Sequence, residues 1–286
     1  MAANPQLEIV IRGGGAAAAA FIRRRWGDML SGAQGLIVPG LLLILWEWVV
    51  REGWISANLL PPPSALLDTL RELGSQGEIY QHVLASSLRT LVGFGVGAGL
   101  AVLIGTVVGL SNRARALLDP TFQALRAIPS LAWVPLLLLW FGIDELPKII
   151  MIAIGAFFPV YLNLVSGIQN VDRKLVELGR VYELSALGLV RQIFIPAALP
   201  SLFVGLRSGL SLAWMFLVAA ELIAATKGLG YLLSDGRETG RADLVIVAIL
   251  TLALLGKLSD GFLAVIERYV LRWRDVYGTT GTSGGS

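Results

Sequence analysis

The 286-residue chain has no cysteine and a single histidine, His82. The first absence excludes a disulfide framework and a thiolate-ligated metal. The second leaves any imidazole-based metal cluster short of nitrogen donors unless several carboxylates join it, so no metal site is expected. With one histidine and no thiol, an intramembrane enzyme would also lack the nucleophile and base it needs, and no catalytic residue is assigned. Charged residues are scarce as well, at 15%, against 55% hydrophobic and a mean hydropathy of +0.72. A soluble domain of this length would not tolerate such a surface, and the chain reads as an integral membrane protein with lipid rather than nucleic acid around it. A GxxxxGK[ST] phosphate loop is missing too: the nearest fragment, Gly256-Lys257-Leu258, sits inside an apolar run without the leading glycine spacing.

What is present is a series of apolar runs. A bilayer core of roughly 30 Å needs about 20 such residues per helix, and six stretches qualify, at about 33–51, 80–110, 125–142, 147–169, 199–224 and 243–266. Glu47 interrupts the first near one end, where Trp46, Trp48 and Trp54 suit an interfacial aromatic belt. The stretch LLPPPSALLDTLRELG reads as a proline-started amphipathic helix on the membrane surface. In the second run Gly93, Gly97, Ala101, Gly105 and Gly109 recur every fourth position, a stripe that lets a neighbouring helix approach closely. A dinucleotide-binding reading of GFGVGAG would need a strand before it and a helix N-terminus after it, and a continuous span offers neither.

Orientation follows from the basic residues. With the N-terminus inside, 14 of the 23 Lys and Arg fall on that side, 6 on the other and 3 (Arg89, Arg207, Lys257) in the spans, a bias that places both termini in the cytoplasm. GGGAAAAAFI precedes Arg23, Arg24 and Arg25, the reverse of a signal peptide's order. Residues 1–32 are read as a cytoplasmic tail, 33–276 as the transmembrane domain and 277–286 as a flexible tail.

The polar stretch VDRKLVELGRVYELSALGLVRQIFI falls between the fourth and fifth runs, on the basic side. Asp172 suits an N-cap, Leu175, Leu178 and Tyr182 share one helical face, and a break is expected near Glu183 to Gly188. Pro196 and Pro200 would flank the start of the fifth span, leaving two short helices on the membrane face. An amphipathic connector packed on its own spans is the plain reading of 172–191. The spacing, however, resembles the coupling motif of bacterial ABC importer permeases, E-A-A, three residues, G, nine residues, I-x-L-P. Glu177, Leu178 and Gly179 stand at E-A-A, Glu183 at the glycine, and Ile193, Ile195 and Pro196 at I, L and P. The resemblance extends in order over about 36–275, through LLPPPSALLDTL, SSLRTLVGFGVG, IPSLAWVPLLLLWFGID, FFPVYLN, LPSLFVGLRSGLSLAW and VAILTLALLGKLSD. It is most similar to the aliphatic sulfonate branch, with taurine, nitrate or bicarbonate and thiamine-precursor permeases as relatives.

This resemblance implies an all-α type I importer fold with six transmembrane helices and a cytoplasmic coupling helix in a bacterial inner membrane. It implies as partners a second permease copy in a homodimer, two cytoplasmic ATPases that bind the ATP and Mg, and an external solute-binding protein. This chain would hold no cofactor. Leu178, Tyr182 and Leu184 would grip a groove on the ATPase, while Glu177 would either pair with a basic residue there or cap its own helix. If the motif's glycine adopts a positive φ, Glu183 in its place costs about 1 kcal/mol or bends the turn differently.

A permanently charged sulfonate needs donors or a cation along its route. Arg207, about eight residues into the fifth span, is either such a cation or half of a structural pair with a carboxylate or a helix C-terminus. Ser208, Ser211, Trp214, Trp133 and Asn163 are further lining candidates, and Glu221 is expected to pair with Lys257 or with helix ends. The competing class, an ion-coupled secondary transporter, would call for coupling carboxylates at the bilayer centre and an internal repeat, and neither is visible.

Overall fold

The computed structural model describes residues 37–273, all helix, turn and loop with no strand among them. The expected tails at 1–32 and 277–286, and the first four residues of the first expected span, lie outside the described residues. The chain divides after Asp68 into two units.

The first unit carries helix α1 over 37–51 and the start of α2, Pro63–Ser75. Ile37, Val38 and Leu41 to Leu45 are exposed along α1, as lipid-facing side chains would be. Glu47 has a specific task in this apolar run. Its carboxylate accepts hydrogen bonds from the Ser64 backbone N–H (3.1 Å) and hydroxyl (2.8 Å), at the first turn of α2, and pairs with Arg51 at 2.6 Å. An orphan donor of α2 is thereby satisfied from outside the helix. Pro63 opens α2, where a missing N–H costs nothing.

The second unit is built on four long apolar helices: α3 (Glu78–Leu110), α6 (Glu145–Gln169), α9 (Ile195–Ala224) and α11 (Ala242–Val270). α6 packs between α3 and α9, and α11 lies against α9. The core is small-to-large. Ala98 and Ala101 of α3 meet Val160, Tyr161 and Val165 of α6, and Ile152 and Ala156 of α6 meet Ala213 and Leu217 of α9. The small-residue stripe faces α6. A methyl group added at Gly93 would sit 2.6 Å from the Ile152 side chain, and one at Gly97 would overlap the backbone of Ala153. Only glycine permits that approach.

Two expected spans are reshaped. The run at 125–142 is not one helix but a pair, α4 (Asn112–Ala127) and α5 (Trp133–Phe141), bent by 80° with a short 3₁₀ turn, Ser130–Ala132, between them. Pro129 accounts for the break: it donates no hydrogen bond and holds Ile128 at ψ 123°, outside the helical region. The run at 199–224 begins earlier. Helix α8 (Ala186–Leu189) passes through a π turn, Val190–Phe194, directly into α9, so helix is continuous over Ala186–Ile223. Pro196 and Pro200 therefore lie within this rod rather than flanking it. Pro196 comes just after the π turn, the Ile195 N–H before it bonding back to the Val190 carbonyl.

Among the described residues, four helices are thus long and apolar enough to cross a bilayer, or five with the bent pair counted as one. Six were expected; α1 is described over 15 residues only. Two short helices complete the unit at opposite ends of the bundle, α7 (Arg173–Val181) between α6 and α8, and α10 (Leu229–Glu238) between α9 and α11.

The α3–α6 approach yields a paired test. Gly97→Val should overpack the seam at a cost of about 1–3 kcal/mol and lower the melting temperature by several degrees. Gly95→Val, at a position with open space around it, should leave it unchanged. Equal melting of both variants would refute the close contact.

Candidate functional site

At the α7 end of the bundle, the segment 172–191 folds as helix, turn, helix. Asp172 accepts a hydrogen bond from the Lys174 N–H (2.9 Å) and so caps α7, and Glu177 is left in mid-helix with no capping role. α7 ends with the Glu183 N–H on the Arg180 carbonyl (2.9 Å) and the Leu184 N–H on the Gly179 carbonyl (3.0 Å). This is the hydrogen-bond pattern of a Schellman motif, whose left-handed residue is normally glycine. Glu183 fills that position with φ +54°, the one positive-φ residue other than glycine among the described residues. Ser185 then caps α8 through the Gly188 N–H at 3.2 Å.

The segment has an inner and an outer face. Inside, Gly179 is buried, and a methyl group there would lie 2.6 Å from both Ile193 and Leu189, with Leu184 next in line. Gly179 at the second alanine position of the motif thus lets α7 settle on the π turn. Outside, Glu177, Leu178 and Tyr182 are solvent-exposed together with Leu175 and Val181. Leu184 belongs to the inner face and not to the exposed stripe. A cavity of about 470 Å³ beneath α7 is lined by Asn112, Arg115, Arg173, Glu177 and Arg180.

The candidate lining residues do not form one cluster. Arg207 is committed to α11: its Nε and Nη2 donate to the two oxygens of Asp260 (2.8 and 2.9 Å), and Nη1 lies 3.4 Å from Glu267. Trp214 on the same side donates to the Ser259 hydroxyl at 2.9 Å. Ser208 and Ser211 share a different, exposed face of α9 with Val204, Met215 and Leu222, the Ser211 hydroxyl donating to the Arg207 carbonyl. Asn163 bonds within α6, to the Pro159 carbonyl, and Trp133 packs against the cluster of Val134, Leu137 and Met151.

Glu221 does not pair with Lys257. Glu221 stands three residues from the end of α9, whereas Lys257 lies about 22 Å down α11 from the same end of the bundle, too deep to meet it. Instead the wholly buried Glu221 carboxylate accepts from Arg89 Nη1 (2.7 Å), the Ser86 hydroxyl (2.8 Å) and the Gly230 N–H (2.8 Å). Arg89 also grips Glu145 with two nitrogens (2.6 and 2.8 Å) and the Lys227 carbonyl at 2.5 Å. Lys148 adds a contact to Glu145 (2.9 Å), and the Gly228 N–H donates to His82 Nδ1 (3.0 Å). Sequence reasoning counted Arg89 among the in-span charges but gave it no partner. Its depth in an apolar run was the available signal.

Residues 97–272 match the family model described as the binding-protein-dependent transport system inner membrane component. The chain is 42% identical over 255 residues to a Bacillus subtilis permease named for aliphatic sulfonates transport, SsuC, covering 89% of this chain and 91% of the relative. The Escherichia coli protein of that name is 43% identical over 240 residues, covering 84% and 91%. The taurine transport system permease TauC of Escherichia coli is 33% identical over 258 residues, covering 88% and 94%. Among solved structures, a chain of the inward-facing MetNI methionine ABC transporter aligns with a TM-score of 0.52 at 20% identity, over 68% of this chain and 94% of that one, a likeness of fold.

The Arg89 cluster is open to a direct test. Arg89→Met strands a buried carboxylate and should cost about 3–5 kcal/mol, lowering the melting temperature by roughly 10 °C. Adding Glu221→Gln should restore a good part of that loss. Wild-type melting of Arg89→Met, measured on purified protein, would show that the cluster bears no load.

Proposed function

The chain is a membrane-embedded permease subunit belonging to the family of binding-protein-dependent transport system inner membrane components, and on that footing we propose that it carries aliphatic sulfonates across the inner membrane in an ATP-driven importer. The names of its relatives at 42% and 43% identity support the cargo class. In this reading two copies of the chain form the path, two separate ATPases supply the energy, and a solute-binding protein delivers the anion. Taurine, nitrate, bicarbonate or a thiamine precursor is the alternative cargo.

The observation that carries the coupling role is the exposed stripe Leu175, Leu178 and Val181 on α7 with Tyr182 at its C-cap, outside the apolar spans and within the segment that bears the motif. Side chains of this kind gain by entering a groove on a partner, and a helix held there moves as a rigid body with it. Helix continuous from α8 into α9 would then transmit the motion to the face bearing Ser208 and Ser211, which we assign to the path. Arg207, with both prongs on Asp260, ties α9 to α11 in this scheme and leaves the anion to other donors.

Reconstitution tests the cargo and the energy source together. Proteoliposomes holding the permease and its ATPase, given the binding protein and ATP, should take up radiolabelled ethanesulfonate in preference to taurine or nitrate. Uptake that persists without the ATPase and follows an ion gradient would replace the importer reading with a secondary transporter. Glu177→Lys combined with Tyr182→Ala should weaken copurification of the ATPase at least several-fold, or uncouple hydrolysis from uptake, in a permease that still folds. Unchanged assembly and uptake would return 172–191 to a plain connector.

The basic-residue bias supports cytoplasmic termini, with α7 inside and α10 outside. In this cysteine-free chain, Ser75→Cys should label from outside with an impermeant maleimide and Ser185→Cys should not. The opposite pattern would invert the topology.

A further inference from the structure

Lys257 stands one residue past the midpoint of α11, a helix long and apolar enough to cross a bilayer. About 22 Å of helix lie on one side of it and about 20 Å on the other, so its ammonium is too deep to snorkel to either surface. The side chain is exposed, and among the described residues it makes no hydrogen bond or ion pair. Asp260 lies one turn further on, at a spacing where helical ion pairs form, and the two charges feel each other. Both Asp260 oxygens are nonetheless taken by the two prongs of Arg207, so the acid one turn away is already neutralised. An unpaired cation at this depth is expensive against lipid, and such residues face water or a partner group instead.

The contacts between α9 and α11 fix which way Lys257 points. Arg207 and Trp214 of α9 meet Asp260 and Ser259 of α11. Numbers rise on one helix as they fall on the other, so the two run antiparallel. At about 100° per residue, Ser211 and Ser208 are turned about 40° and 100° past Arg207, and Lys257 about 60° past Asp260 in the same sense. Turns of one sense on antiparallel helices carry side chains to the same side of the plane through both axes. Lys257 therefore shares a side with the exposed Ser208 and Ser211, and the two contacts set it within one turn of Ser211 in height.

The surroundings of Lys257 on α11 agree. Ala253, Gly256, Gly261 and Ala264 flank it, with open space beside both glycines. The adjoining stripe of Leu254, Leu258, Phe262 and Val265 is bulky and exposed, as lipid-facing side chains are. A cation bordered by small residues stays within reach of a solute.

We propose that Lys257 is the cation of the translocation path, offering the passing anion a positive charge at mid-membrane that no carboxylate holds. The proposal rests on the importer reading, which assigns the Ser208 and Ser211 face to the path. It gives the anion one charged contact on its route rather than a closed site, and at this depth a lipid phosphate cannot take the cargo's place.

The chain has no cysteine, which permits a test on the whole importer, permease with ATPase and binding protein in proteoliposomes. Lys257→Met should lower uptake of radiolabelled ethanesulfonate about tenfold, the loss of one charge-assisted contact. Melting temperature and the stimulation of ATP hydrolysis by binding protein should stay at wild type, and Lys257→Arg should keep most of the uptake. Lys257→Cys should react with charged, water-soluble methanethiosulfonates, and Leu258→Cys on the lipid-facing stripe should not. The aminoethyl reagent returns an ammonium to position 257 through a mixed disulfide and should restore uptake, while the sulfonatoethyl reagent places an anion there and should not. Wild-type uptake by Lys257→Met overturns the assignment. So does a cysteine at 257 as unreactive as one at 258, which would put the lysine against lipid or a second copy of the chain. Melting that falls in step with uptake in Lys257→Met and returns in Lys257→Arg overturns it too, because the ammonium would then be structural. The cargo reading fails separately: preference for nitrate or taurine over ethanesulfonate, with the same rescue at position 257, keeps the lysine in the path and defeats the sulfonate. Sulfonate uptake indifferent to position 257 does the reverse.

Discussion

The Arg89 guanidinium holds three of the long helices and one connecting loop in register. It reaches from α3 to Glu145 at the start of α6, to Glu221 near the end of α9 and to the Lys227 carbonyl in the loop before α10. The buried Glu221 carboxylate and Arg89 guanidinium would each be costly alone in an apolar bundle, while Glu145 is half-exposed. An unpaired buried carboxylate or guanidinium carries a penalty of several kcal/mol, and the arrangement is stable because donors and acceptors are matched almost one for one. The glycines beside it follow from the same crowding. A side chain at Gly228 or Gly230 would run into the Glu221 carboxylate, so the loop must pass with backbone alone.

With charge consumed at the α10 end and midway down the bundle, where Arg207 meets Asp260 and Glu267, the α7 end differs in kind. There Arg115, Arg126, Arg173 and Arg180 line cavities rather than ion pairs. Charges that pin helices together resist displacement, while charges left facing open space are available to something that arrives. Among the described residues, the path from α7 through α8 meets no salt bridge before Arg207 in the middle of α9.

Much of this was legible in composition and period. The runs expected at 80–110, 147–169 and 243–266 are α3, α6 and α11 to within about four residues, because a long apolar stretch has few ways to satisfy its backbone in lipid. The small-residue stripe announced a close neighbour, and Asp172 announced the start of α7. What failed was local geometry that averages conceal. An apolar window drawn over 125–142 runs straight across Pro129, yet that one residue without an N–H turns the chain by 80°. Pro196 and Pro200 looked like stops, and the π turn before them let helix run through. Partner choice was the least legible. Glu221 and Lys257 are both charges in apolar runs, but whether they meet depends on depth in antiparallel helices, which sequence distance does not encode.

The segment 172–191 joins both lessons. Its spacing marked the turn, and its composition marked it as polar, but neither distinguished its two faces. Gly179 draws Ile193, Leu189 and Leu184 inward, so the apolar residues that remain outside, Leu175, Leu178, Val181 and Tyr182, are ones the segment cannot bury itself. Four such side chains on a short helix forgo on the order of 1 kcal/mol each of hydrophobic stabilisation while they face water, and a helix of nine residues has little stability of its own to offset that. The Schellman turn at Glu183 holds the stripe in place despite a φ that favours glycine. A surface kept exposed at that cost, on a helix that caps and turns are arranged to hold, is what the docking role proposed for 172–191 rests on.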